Sequence, residues 1–142
     1  MAEQTPLLDQ LISALKLLPG VGQKTAQRMA FHLLKVDQDK ARALGTTIVQ
    51  AVDSIRHCDR CRNYTENQIC DICASSNRKV SQMCIVETPT DVMAIENGTS
   101  YNGVYFVLMG KLSPLDGIGP DQIGLDQLQH RLKSGDLKEI IL

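Results

Sequence analysis

Residues 58–73 carry two Cys-x-x-Cys pairs, Cys58/Cys61 and Cys70/Cys73, and no other feature of the 142-residue chain restricts its folding as tightly. Tetrahedral Zn²⁺ takes four thiolates at about 2.3 Å. One Cys-x-x-Cys turn offers two sulfurs from a single tight loop, and two such turns facing each other complete the shell. The spacing therefore predicts a closed, structural zinc site that folds its loop and leaves no open position for catalysis. The competing reading is a pair of metal-free or redox motifs. A thioredoxin-like site, however, needs one such pair at a strand–helix junction, not two in a polar segment. Four cysteines already fill the tetrahedron, so His57 reads as an exposed neighbour. The fifth cysteine, Cys84, reads as a small buried apolar residue in a strand.

Composition bounds what surrounds this site. Apolar residues make up 43% of the chain, enough for packed cores, although tryptophan is absent. The odd cysteine count, the paired spacing and the lack of an N-terminal apolar signal region point to a reducing cytoplasm. No apolar run approaches the roughly 20 residues needed to span a bilayer. Net charge is −1, so no global field recruits a polyanion, but the balance is uneven. Residues 1–79 carry 11 Lys+Arg against 8 Asp+Glu, and residues 80–142 carry 4 against 8. A polyanion should therefore meet the first half.

That half begins as a helical hairpin. Thr5-Pro6 is a capping hydroxyl followed by proline at the first helical position. Leu8, Leu11, Ile12, Leu15 and Leu18 then recur at helical spacing. The helix is expected to stop at Leu18-Pro19-Gly20-Val21-Gly22, and a second begins near Gln23 with Ala26, Met29, Ala30, Leu33 and Leu34 on its apolar side. Lys24, Arg28 and His32 stack along another face. Glycines let a backbone approach a phosphate closely, and the following helix's unpaired N–H groups and positive dipole end receive the anion. Gly20, Gly22, Lys24 and Arg28 are thus candidate DNA-binding residues that touch phosphate rather than base. The ordinary alternative is an αα-hairpin with a solvated basic stripe. A Walker A loop does not fit, because Gly20 and Gly22 lie two apart, Gln23 precedes Lys24 and the preceding segment is helical.

Asp37 can cap a third helix in which Ala41, Leu44, Ile48, Val52 and Ile55 keep an apolar period as far as the knuckle. Small helices of this kind need a partner surface for stability, and a dimer through this region is one expectation. The organisation expected is a helix–hairpin–helix domain over 1–56, a four-cysteine zinc finger over 57–79 and an α/β domain over 80–142.

Beyond the polar connector 75–79 the pattern changes. Val80–Val86 suits a buried strand, and Thr88-Pro89-Thr90-Asp91 caps a helix through Val92, Met93 and Ile95. Gly103–Met109 is continuously apolar, which predicts a strand covered on both faces. Gly110–Gly124 reads as a long loop, Leu125–Lys133 as a helix ended by Gly135, and Glu139–Leu142 as the start of a central strand. The alternation implies a parallel sheet. A half-begun central strand leads us to expect a fragment or a truncated variant. Glu87 falls at the carboxyl end of the first strand, where open α/β sheets place ligand-binding groups. One carboxylate there could hold Mg²⁺ but does not make a two-metal site.

Taken in order, the hairpin Leu18–Ala26, the knuckle Cys58–Cys73, Cys84–Glu87 running into Asp91, and Tyr105–Pro120 resemble the bacterial RecR recombination mediator family. The resemblance spans nearly the whole chain. It implies an α+β, multi-element protein with an N-terminal helix–hairpin–helix, a four-cysteine zinc finger and a Toprim-like parallel-sheet domain, incomplete at its C-terminus. It further implies DNA contact by Lys24 and Arg28, zinc ligation by Cys58, Cys61, Cys70 and Cys73, and Glu87 as the first Toprim acid. Members form dimers and clamp-like tetrameric rings and work with RecO and RecF on gapped DNA to help load RecA. The family is regarded as non-catalytic. Tyr64, Tyr101 and Tyr105 offer no convincing nucleophile. The alternative is a Toprim-type Mg²⁺-dependent nuclease or primase fragment.

Overall fold

The computed structural model describes residues 6–110, 123–133, 135 and 137–142. The expected cap Thr5 and most of the expected loop 110–124 lie outside these residues. The chain forms two compact units, Met1–Asp53 and Ser54–Leu142.

The first unit holds α1 (Pro6–Leu15), α2 (Gln23–Lys35) and α3 (Gln38–Ser54). The Leu18 end expected for α1 is corrected. Lys16–Leu18 wind into tighter turns, with Leu17 N–H bonded to Ala14 O at 3.1 Å and Leu18 N–H to Leu15 O at 3.2 Å. Leu18 is consequently half exposed rather than part of the buried face. Ile12 on α1 packs against Ala26 and Ala30 on α2, flanked by Leu8, Leu11, Leu15 and Val21. The alanines are what permit this close crossing of helices. Asp37 caps α3 as expected, its Oδ1 accepting from Asp39 N–H at 3.0 Å. The apolar period of α3, however, buries nothing.

The second unit opens with a two-residue antiparallel ribbon, β1 (Arg56–His57) against β2 (Tyr64–Thr65), which closes the first Cys-x-x-Cys turn. A one-turn helix, α4 (Asp71–Ala74), carries Cys73. Then follow β3 (Lys79–Val86), α5 (Pro89–Gly98), β4 (Gly103–Val107), α6 (Leu125–Leu132) and β5 (Glu139–Ile141). Thr88 and Asp91 form a reciprocal capping box at α5, with Pro89 inside its first turn.

The sheet order is β4-β3-β5, and both pairings are parallel. Among the described residues β5 is an exposed edge strand, and β3 occupies the centre. All five residues of β4 are buried, as its unbroken apolar run requires. On one face Met83, Val104, Phe106 and Leu128 pack together under α6. On the other, Cys84, Val92, Tyr105 and Val107 pack under α5, and Ile72 of the knuckle joins them. Cys84 is thus the small apolar strand residue its setting predicts.

Candidate metal centre and nucleic-acid interface

The knuckle brings the four cysteines together. Cys58, Cys61, Cys70 and Cys73 are all buried, and their sulfurs lie within 4.8 Å of one another. Four thiolates about 2.3 Å from one tetrahedral ion would stand about 3.8 Å apart, so the donor set fits Zn²⁺. Backbone N–H groups already aim at the sulfurs. Cys70 N–H reaches Cys58 Sγ at 3.3 Å, and Arg60 N–H reaches the same sulfur at 3.4 Å. Asn63 N–H meets Cys61 Sγ, and Cys73 N–H meets Cys70 Sγ, each at 3.4 Å. Donors in this arrangement offset thiolate charge and hold the turns in ligating geometry.

The packing also perturbs the thiols themselves. Cys70 is pulled far below the usual thiol range because Cys61, and then Cys73, donate hydrogen bonds to it. Cys61 is pushed up, chiefly because it supplies that bond to Cys70. Four sulfurs this close share protons when no cation neutralises them, and a divalent ion supplies that cation. His57 remains outside the shell. It is exposed, its Nδ1 is 2.8 Å from Arg62 O, and its ring stacks on Tyr64 with centroids 5.0 Å apart.

The hairpin residues belong to the first unit. Gly20 takes φ +77° and turns the chain out of α1. Gly22 is the N-cap of α2 in extended geometry, with no side-chain cap bond. A Cβ at either glycine would meet nothing within 4 Å. Lys24 and Arg28 are exposed, on the side of α2 away from buried Ala26 and Ala30. Arg28 and His32 also border an apolar groove of about 470 Å³ lined by Leu15, Leu18, Met29, Leu33 and Leu44.

Glu87 follows β3 at its carboxyl end, half-buried, with its carbonyl accepting from Gly110 N–H at 2.9 Å. Asp91 is occupied by the α5 capping box. Tyr101 donates to Val104 O at 2.8 Å, and Tyr105 donates to Glu96 Oε2 at 2.5 Å. Burial first, and then that bond to Glu96, push the Tyr105 hydroxyl above its ordinary range.

Sequence reasoning missed two polar constellations in the second unit. Arg78 forms a bidentate pair with Glu96, one bond at 3.0 Å from Nη1 to Oε2 and the other from Nη2 to Oε1, while Tyr105 completes the carboxylate's shell. Arg78 holds Glu96 below the usual carboxylate range. The second constellation is arginine-based. Arg62, at φ +70°, reaches Leu108 O at 3.4 Å, and a Cβ on Gly124 would run into its guanidinium. Arg131 donates to both Arg60 O and Tyr105 O. No local pattern marks these residues, since the partners of Arg131 lie 71 and 26 positions away.

Three family models match the chain. They describe the RecR helix-hairpin-helix over residues 8–52, the RecR four-cysteine zinc finger domain over 55–75 and the Toprim domain over 81–142. Curated relatives cover nearly all of it. "Recombination protein RecR" of Xanthomonas oryzae pv. oryzae is 55% identical over 136 residues, 96% of this chain and 69% of the relative. The like-named protein of Xanthomonas axonopodis pv. citri is 53% identical over the same span. That of Xylella fastidiosa is 51% identical over 138 residues, 97% of this chain and 70% of the relative. Among the described residues no helix is long and apolar enough to cross a membrane.

Proposed function

This chain belongs to the RecR family, and from that premise we propose that it is a non-catalytic, cytoplasmic mediator of recombinational repair that grips the phosphate backbone of gapped or junction DNA through its hairpin. The observation that carries this reading is at Gly22. Its extended backbone needs no glycine, and a side chain there would meet nothing inside the protein. What a missing Cβ does favour is close approach from outside, onto the uncapped N–H groups that open α2. Lys24 and Arg28 stand exposed beside that opening and supply the counter-charge.

Zinc, held by Cys58, Cys61, Cys70 and Cys73, serves as a structural crosslink. Glu87 occupies the first acidic position of the Toprim fold without a catalytic role. The chain assembles with itself, as a dimer or clamp-like tetramer. The support is α3, where Leu44, Ile48 and Val52 form a stripe at i, i+4 and i+8 that the chain leaves about half exposed or more. RecO and RecF are the expected protein partners in loading RecA. A single hairpin makes few phosphate contacts, so binding by one copy is weak and salt-sensitive, and several copies raise it by avidity.

Fluorescence anisotropy on a gapped duplex at low salt tests the reading, with Lys24→Glu/Arg28→Glu as the comparison. The double variant should lose about tenfold or more in affinity, and the salt slope should shrink by about two. Equal binding by both proteins would remove the hairpin from the interface. Metal-dependent cleavage abolished by Glu87→Ala would instead establish the enzyme reading.

A further inference from the structure

We propose that the four-cysteine knuckle is a metal-dependent cover for the outer edge of the parallel sheet, and that Arg131 is the positioning residue that couples the two. Among the described residues β4 pairs with β3 on one side only, so its far edge would present unpaired backbone groups. The first Cys-x-x-Cys turn meets them. Val107 N–H donates to Cys61 O at 2.8 Å. Arg131 Nη1 donates to Tyr105 O at 2.8 Å and to Arg60 O at 2.9 Å, bridging strand and turn with one nitrogen. Just past the end of β4, Arg62 Nη2 reaches Leu108 O at 3.4 Å. Tyr105 and Val107 are two apart, the spacing at which backbone groups return to the same edge of a strand.

Cys61 is the hinge of this arrangement. Its sulfur belongs to the metal set, while its carbonyl holds the strand. Releasing the sulfur frees the carbonyl, so metal occupancy and order along β4 are linked. Arg131 adds a second link. Its guanidinium stands 6.0 Å from the centroid of the Phe106 ring. Four thiolates around one divalent ion leave two net negative charges, and a guanidinium fixed at this place offsets part of them. The ordinary role for an arginine in the last turn of a helix is to face that helix's own carbonyls. The two bonds of Arg131 to Arg60 O and Tyr105 O instead leave α6 for the knuckle and β4.

The inference rests on the zinc assignment and not on DNA binding. Zinc content of the purified chain is therefore measured first, followed by hydrogen exchange before and after verified chelation. Exchange should rise about tenfold or more over 58–73 and 103–109, with α5 and α2 keeping their protection. Arg131→Met should release zinc to a chelator about tenfold faster than the unaltered protein. Arg131→Lys should fall between them, because an ammonium keeps the charge without the planar fork. Unchanged exchange at Val107 after zinc removal would overturn the proposal. So would uniform loss of protection across the second unit, or release from Arg131→Met at the unaltered rate. Should that variant fail to fold, exchange on the unaltered chain still decides. A protein purified without zinc sinks the zinc assignment itself; zinc-loaded protein with an indifferent β4 sinks only the coupling.

Discussion

The two units solve the problem of a small core in opposite ways. Among the described residues, Met1–Asp53 buries three side chains, Ile12, Ala26 and Ala30, and its 17-residue α3 buries none. Ser54–Leu142 has a buried cluster on each face of its sheet and a third made of the four cysteines. A domain near 50 residues buries too small a fraction of its surface to be secure alone. The second unit meets this with a sheet and a donor set for metal, held within one chain. The first unit leaves the apolar stripe of α3 exposed, and in the assembly proposed above a second copy of the chain covers it. Stability of the second unit should therefore follow metal, and that of the first should follow concentration.

The largest effect should come from Cys70→Ala. Structural zinc sites bind with apparent free energies of about 10–16 kcal/mol, most of which goes into ordering the site itself. The variant should purify without zinc, lose order over 55–75 and lower the melting temperature of the second unit, while the helical signal of α1–α3 stays. Zinc analysis and exchange mapping check it. A variant as stable as the parent would break the comparison on its metal side.

Next comes Ile48→Asp, placed in the middle of the exposed stripe on α3. In the unaltered chain the apparent melting temperature of the helical unit should rise with protein concentration, because association stabilises by mass action. Ile48→Asp should remove that dependence and shift the sedimentation profile to the monomer. An unaltered chain that melts at one temperature over a hundredfold dilution would show that the first unit stands alone, and the comparison would fail on its other side.

How much of this was legible in the sequence follows the range of the interactions. The Cys-x-x-Cys spacing, the Thr88–Asp91 capping box and the Asp37 cap are each complete within a short window, and each was readable. The apolar run of β4 predicted a strand covered on both faces, because period and burial are linked locally. By contrast, helical periodicity in α3 announces an apolar face without naming what covers it, and the described chain leaves that face bare. Leu18 fits the period of α1, yet tighter turns after Leu15 carry it away. The place of β3 between β4 and β5 depends on strand order, which no window of sequence contains. Arg131 looks like any cation in a last turn, and only packing brings Arg60 and Tyr105 to it.

A third prediction sharpens the contrast within the second unit. Glu96→Gln leaves part-buried Arg78 without its charge partner, at a cost of about 1–2 kcal/mol, and it should not affect zinc content. The folded-state pKa of Glu96 is depressed, so the carboxylate's contribution is present above the ordinary glutamate range and is lost as pH falls through the folded value. The parent should therefore shed part of its stability only below the ordinary glutamate range, and Glu96→Gln should shed less. Denaturant midpoints at pH 7 and in the acid range measure both; parallel pH profiles would mean that the pair contributes nothing.

The smallest effects separate fold from function at the turn between α1 and α2. Gly20→Ala forces a side chain to φ +77°, which costs about 1–2 kcal/mol. Gly22→Ala is placed in extended backbone with open space around it, so stability should stay within about 0.5 kcal/mol. If the hairpin receives phosphate, the ranking reverses for DNA, because the new methyl at Gly22 stands where the backbone must be approached. Gly22→Ala should then weaken binding severalfold in anisotropy with an unchanged denaturant midpoint. Gly20→Ala should lower the midpoint and weaken binding only as far as folding is lost. Were Gly22→Ala to bind as the parent does, the glycine would serve the turn alone, and the DNA contact would have to rest on Lys24 and Arg28.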